Sequence, residues 1–191
     1  MTNPAPFSIF DLMKKFDDYI WGETQESELG EISELVNSAY RGESSRAGWT
    51  TEADFLGGQR TDPQTLLQHL KDKNRKIFRC RDRDSRSLLG CVYLERNPDD
   101  SCYLGMLTVR PHLQNSGLGK VIMNHAEELA RQWGARRMVL GVIQLRSELM
   151  AWYERRGYRK TGETKPFPYG DPKAGQPLRE DLHFVMFEKI L

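Results

Sequence analysis

The stretch from Leu107 to Lys120 reads Leu-Thr-Val-Arg-Pro-His-Leu-Gln-Asn-Ser-Gly-Leu-Gly-Lys, and it constrains what this chain can fold into more than any other segment. An apolar strand-like segment stops before Pro111, and the chain turns through Gly117 and Gly119. An amphipathic pattern carried by Leu118, Val121, Ile122, Leu129, Ala130 and Trp133 then begins at once. A strand that runs straight into a helix aims several unpaired backbone N–H groups in one direction, with the positive end of the helix dipole behind them. Glycine suits such a turn because no side chain keeps an anion away from the backbone. The junction is an expected anion cradle. It is neither a P-loop nor a dinucleotide fingerprint, since neither Gly-x-x-x-x-Gly-Lys nor Gly-x-Gly-x-x-Gly occurs in the chain.

The neighbouring patterns say what the cradle is built into. Three strands are expected at 76–81, 88–95 and 102–109, joined by the turn-rich Asp82-Arg83-Asp84-Ser85 and Asn97-Pro98-Asp99-Asp100, which makes two successive antiparallel hairpins. The long helix closes at Gly134, and the short apolar run 138–143 then reads as a buried strand reached by a crossover, hence a parallel neighbour. A helix over 145–156 stops at Gly157, and strands are expected at 158–164 and 182–189. Upstream, an extended stretch at 19–23 precedes a helix carrying Leu29, Ile32, Val36, Ala39 and Tyr40. Asp62-Pro63 supplies an N-cap and a first-turn proline for a helix through Leu66, Leu67 and Leu70. Two long segments carry no regular pattern, 41–62 and 165–181, the second holding four prolines. Loops of that length inside a domain tend to be functional. Ile9, Phe10, Met13 and Phe16 share one helical face, with Ser8 and Asp11 as a capping pair, so residues 1–17 read as an N-terminal helical extension ahead of one α+β domain over 18–191. As a docking arm this helix would support a homodimer.

Composition removes several function classes. The 28 Lys+Arg against 27 Asp+Glu leave a charge of +1, which argues against a nucleic-acid partner held by blanket charge. The basic run 71–86 reads as a solvated hairpin face. No apolar run approaches the roughly 18 residues of a membrane span, and no secretory signal is visible, so no membrane is expected. Cys80, Cys91 and Cys102 are odd in number and spaced unlike a zinc site, which predicts inert reduced thiols, no metal and a cytoplasmic location.

The cradle sequence resembles motif A of the GNAT superfamily of acyl-CoA-dependent N-acyltransferases, Leu-x-Val-x-Pro followed by Gln/Arg-x-x-Gly-x-Gly/Ala. A second resemblance, to the family's motif B, lies in Ala151-Trp152-Tyr153-Glu154-Arg155-Arg156-Gly157-Tyr158. The likeness implies a GNAT-like fold: a central mixed, mostly antiparallel sheet of about seven strands, helices on both faces, and a splayed fourth and fifth strand pair. It implies acetyl-CoA as acyl donor. The pyrophosphate would sit on the turn formed by Gln114, Asn115, Ser116, Gly117, Leu118, Gly119 and Lys120, and the pantetheine would pair with the main chain of Leu107 and Val109. A backbone N–H near Leu107 would hold the oxyanion, and Tyr153 would protonate the departing thiolate. Relatives often carry Asn seven residues before that tyrosine; here the position is Arg146.

A base must also deprotonate an amine whose pKa is about 10. Glu95, His183, Glu52 and Asp54 are the candidates, with Glu95 favoured because carboxylates in that neighbourhood act as base in some relatives. Trp49, Glu52 and His183 are the expected contacts to the acceptor, with Trp49 in a loop that would cap its pocket. The expected reaction is direct transfer of acetyl from acetyl-CoA to a primary amine of a small molecule in a ternary complex. A protein or peptide acceptor, and a non-catalytic acyl-CoA sensor, are the rival readings.

Overall fold

A computed structural model describes residues 18–191; the expected N-terminal helix over residues 8–16, and with it the docking arm, lies outside them. Five helices and nine strands follow in the order β1 (Tyr19–Glu23), α1 (Leu29–Tyr40), α2 (Gly42–Ser45), β2 (Leu56–Gly57), α3 (Pro63–Leu70), β3 (Arg75–Asp82), β4 (Leu88–Arg96), β5 (Ser101–Val109), α4 (Leu118–Gln132), β6 (Arg137–Ile143), α5 (Ser147–Glu154), β7 (Arg159–Pro166), β8 (Gln176–Pro177) and β9 (His183–Ile190) among the described residues. Seven of the strands form one sheet in the order β1-β3-β4-β5-β6-β9-β7. Among the described residues only β5 and β6 run parallel; every other pairing is antiparallel.

The sheet is covered on both faces, and β4 shows why its sequence is a continuous apolar run. Alternate residues enter two different cores: Val92 and Leu94 pack with α4 through Ile122, Met123 and Ala126, whereas Leu88, Cys91 and Tyr93 pack with α1 and α3 through Ile32, Val36 and Leu66. A strand buried on both faces has no polar alternation to show. At the opposite extreme is β7, a sheet edge, exposed along its whole length and lined with Arg159, Lys160 and Lys165, charges that oppose edge-to-edge pairing. Asp62 caps α3 as its sequence predicts, its carboxylate accepting from the Thr65 N–H at 2.9 Å.

Two features of the sheet create the site. Strand β5 pairs with β6 only through Cys102 and its two neighbours, and beyond Tyr103 the strands part while β6 stays in full register with β9. In addition, the register of β4 against β5 jumps between Cys91 opposite Thr108 and Tyr93 opposite Gly105, a bulge at which Met106 adopts the left-handed conformation, with φ 50°. Such a backbone in a non-glycine residue is held by its surroundings at a cost of order 1–3 kcal/mol.

The two long irregular segments are less irregular than their sequences suggest. Within 41–62 lie α2 and β2, and within 165–181 lies β8; β2 and β8 pair antiparallel and stitch the two segments together. Phe55, Leu56, Ile143, Phe167 and Leu182 form a small core of their own beneath this ribbon. A two-residue strand leaves no periodic trace in sequence, which is why both segments read as loops. No helix among the described residues is long and apolar enough to cross a membrane.

Candidate active site

The parting of β5 and β6 opens a cleft of about 320 Å³. Leu107, Thr108 and Val109 form its floor, the turn into α4 its far end, and Leu149, Trp152, Tyr153 and Arg156 its side wall. Leu149, Trp152 and Tyr153 fall three and four positions apart on α5, so one helical face delivers them, and Arg156 follows in the turn just past the helix. Tyr40, Trp49, Thr50 and Arg146 close the remaining side.

At the turn, Gly117 takes φ 88° as it caps α4, a conformation glycine reaches without strain. A side chain on Gly119 would point at the Trp152 ring, its Cβ within 3.4 Å, and would narrow the cleft. Asn115 is also left-handed, with φ 66°. The consequence is an alternation. The N–H groups of Asn115, Gly117 and Gly119 make no hydrogen bond to the described residues, and these three residues line the cleft. Those of Ser116 and Leu118 are engaged, the first by the Leu113 carbonyl and the second by the Ser116 hydroxyl, each at 3.4 Å, and neither residue lines the cleft. Leu118 is instead buried in the core. Among the residues expected at the pyrophosphate, then, Ser116 and Leu118 are turned away, while Lys120 brings a cation to the cleft.

Gln114 borders the cleft but acts as a clasp. Its amide nitrogen donates to the Val109 carbonyl at 3.3 Å, and its amide oxygen accepts from the Trp49 N–H at 3.0 Å, which ties the loop before β2 to the end of β5. Tyr40 makes a second tie, its hydroxyl donating to the Leu107 carbonyl at 3.1 Å.

Tyr153 is buried, and its ring packs edge-on against Trp152 and Tyr158. Its hydroxyl makes no hydrogen bond to the described residues. Burial drives its pKa well above that of a free phenol, with the neighbouring Tyr40 adding to the rise and Arg146 opposing it. The Tyr40 phenol is raised to about 12 by the same burial, against Arg146 and Arg60. Both phenols hold their protons at neutral pH.

Glu52, expected at the acceptor, lines neither this cleft nor its neighbour. It is buried, one oxygen taking the Arg41 Nε at 3.0 Å and the other the Arg146 Nη1 at 3.0 Å, and Arg146 continues to the Thr50 hydroxyl at 3.1 Å. Arg41 extends the network to the carbonyls of Gly57 and Ala174. The carboxylate is thus a brace between α5 and the stitched loops, and Arg146, where relatives often have Asn, is its anchor. Asp54 is exposed and paired with Arg46, and His183 on β9 contacts the Asp181 carbonyl; neither borders a cleft described here.

Glu95 borders a second cavity, of about 410 Å³. Gly105 and Met106 line this cavity where Leu107 lines the first, so the bulged strand separates the two. One Glu95 oxygen accepts from the Tyr93 hydroxyl at 2.6 Å, the other from Arg75 at 3.2 Å. His69, Tyr103, Arg60 and Lys173 complete this chamber. None of these four stood out in the sequence, because they come from a loop, a helix face, a strand and a second loop with no common spacing. The same holds for Tyr40, which reads as one more apolar position of α1. No group of His, Cys, Asp and Glu that could hold a metal occurs among the described residues.

A parallel strand pair that opens over a glycine turn, beside a buried tyrosine on the next helix, defines an acyl-CoA transferase-like fold. The profile of the acetyltransferase (GNAT) family matches residues 29–158, and the chain belongs to that family. An uncharacterized N-acetyltransferase of Mycobacterium bovis is 30% identical over 105 residues, 55% of this chain and 65% of the relative, so the match spans about two thirds of that protein's length. Among solved structures, a spermidine N-acetyltransferase variant from Vibrio cholerae superposes with TM-score 0.66 at 14% identity, covering 91% of this chain and 94% of the other. The ribosomal-protein-S18-alanine N-acetyltransferase of Escherichia coli superposes with TM-score 0.64 at 12% identity, covering 90% and 93%. A Bacillus anthracis protein described as a streptothricin acetyltransferase, in complex with acetyl coenzyme A, superposes with TM-score 0.53 at 17% identity, covering 65% and 67%. These likenesses establish the fold; their different acceptors say nothing of the acceptor here.

Proposed function

We propose that residues 18–191 form an acetyl-CoA-dependent N-acetyltransferase domain that acetylates a primary amine of a small molecule by direct attack in a ternary complex. The observation that carries this reading is the meeting, in one cleft, of the open β5 edge, the unpaired amides of Asn115, Gly117 and Gly119, and the protonated Tyr153. In this reading the amides receive the pyrophosphate, with Lys120 beside them, and the pantetheine lies along Leu107 and Val109 as an added strand would. The neutral amine attacks the thioester carbon, and a backbone N–H near Leu107 holds the oxyanion. As the new C–N bond forms and the C–S bond breaks, the amine's proton leaves toward Glu95, the one base candidate that borders the neighbouring cavity. The departing thiolate takes the Tyr153 proton, which solvent restores.

A small-molecule acceptor is favoured because the β2–β8 ribbon ties the two long segments into a wall beside the chambers. The buried free thiols fit a reducing, cytoplasmic setting. The test is a thermal melt with CoA together with thiol release from acetyl-CoA across a panel of free amines and peptides. The reading expects stabilisation by CoA and faster thiol release with a free amine. Peptides outperforming every free amine would replace the acceptor class, and stabilisation with no thiol release would support a sensor instead.

A further inference from the structure

The second cavity has an unbalanced charge. Arg60, Arg75 and Lys173 line it against one carboxylate, Glu95. That carboxylate is already used, by Arg75 on one oxygen and the Tyr93 hydroxyl on the other. Arg60 is half-buried, its guanidinium 5.5 Å over the Tyr40 ring, and it has no carboxylate partner among the described residues. Lys173 donates to the neutral Gln68 amide at 3.0 Å. Asp62, a carboxylate that feels its charge, is committed to the cap of α3 through the Thr65 N–H and hydroxyl. His69 brings no negative charge: burial and the nearby Arg75 hold its pKa down, and its Nδ1 is buried without a partner among the described residues.

A half-buried cation without a carboxylate partner has lost part of its solvation, and the face of the Tyr40 ring restores only some of it. A ligand carrying an anionic oxygen group would restore it through charge-assisted, bidentate hydrogen bonds. A purely cationic amine would meet Arg60 and Lys173 with like charge. The position matters as well as the sign: Arg60 lines the same cavity as Glu95, the base of the proposed reaction, and its guanidinium lies over the ring of Tyr40, whose hydroxyl is tied to Leu107 on the floor of the first cleft.

We infer that the acceptor is an amine that also bears a carboxylate or a comparable anionic oxygen group, in the manner of an amino acid, and that Arg60 is the residue that selects it, with Lys173 assisting. This rests on the acetyltransferase reading above and narrows its substrate class. The test measures thiol release from acetyl-CoA with amino acids, each beside its decarboxylated amine, with 2-aminoethylphosphonate, spermidine and short peptides in the same panel. The amino acid of a pair should show kcat/KM higher by roughly ten- to a hundredfold, the value of one charge-assisted contact. In Arg60→Gln that preference should collapse through KM, which rises for the amino acid and falls or holds for its decarboxylated amine, and Arg60→Lys should restore part of it. Activity of the phosphonate, without that of the amino acids, would identify the anionic group as phosphate-like. The inference is overturned if decarboxylated amines, spermidine or peptides serve as well as amino acids, or if Arg60→Gln lowers both members of a pair equally. Absence of thiol release with every amine, with CoA still stabilising the fold, would remove the acetyltransferase reading itself and this inference with it.

Discussion

The two chambers on either side of the β5 bulge are built from different materials. The first is mostly main chain: an open strand edge and three amide groups, supplied by residues 107–119, with one helical face as a wall. The second is mostly side chains, with Arg60, His69, Glu95, Tyr103 and Lys173 brought from five separate segments. Backbone geometry is insensitive to which residues carry it, so the first chamber is what a family can share. Side chains on loops change freely, so the second is where one member differs from another.

Substitutions can break this contrast, beginning with the chemistry. Tyr153→Phe removes a proton donor and leaves the amides intact, so kcat should fall by about 10²- to 10⁴-fold with the CoA dissociation constant unchanged, as read by steady-state rates and a binding titration. A loss confined to CoA affinity would make Tyr153 a wall residue. Glu52→Ala leaves Arg41 and Arg146 buried without their shared carboxylate, a change worth about 3–5 kcal/mol, or a fall in Tm of roughly 10 °C. Glu52 braces the wall of both chambers, so acceptor and CoA dependence should worsen together; unaltered melting would mean the brace carries no stability. Gly117→Ala forces a side chain into φ 88°, at about 1–2 kcal/mol, and should raise the KM for acetyl-CoA by roughly tenfold while leaving acceptor preference alone.

The pH profile sharpens the same division. Tyr153 and Tyr40 have raised pKa values, so both stay protonated and a descending limb from their ionisation should be absent below about pH 10. The rate should rise with pH as the acceptor amine loses its proton, then level off; a fall between pH 8 and 9 would assign the acid to another group. The smallest effect concerns the thiols. Burial raises Cys80 and Cys91 to about 12 and Cys102 to about 11, so a thiol reagent should label none of them in the native state and should leave activity unchanged.

How much of this was legible beforehand differs by element. The strand, turn and helix around Gly117 follow from local pattern, as do the α3 cap at Asp62 and the helix before Gly157 that carries Tyr153. Glu52 could not be read as a brace, because its meaning depends on Arg41 and on Arg146, which lies far along the chain. Nor could the β2–β8 ribbon, since two residues carry no period. Ser116 and Leu118 sit inside the motif yet face away from the cleft, because a turn alternates its N–H groups between protein and cleft, and only the folded turn decides which set is free.

The sequence by itself determined the order of the elements and the position of the cradle, because strand and helix periods, capping residues and glycine turns act over a few neighbouring residues. Only the tertiary structure decided which charges face one another. Glu52 was drawn to two arginines, Glu95 to Tyr93 and Arg75, and Arg60 was left without a carboxylate partner among the described residues. The physical reason is that electrostatic pairing depends on distance in space and on burial, and neither is a property of separation along the chain.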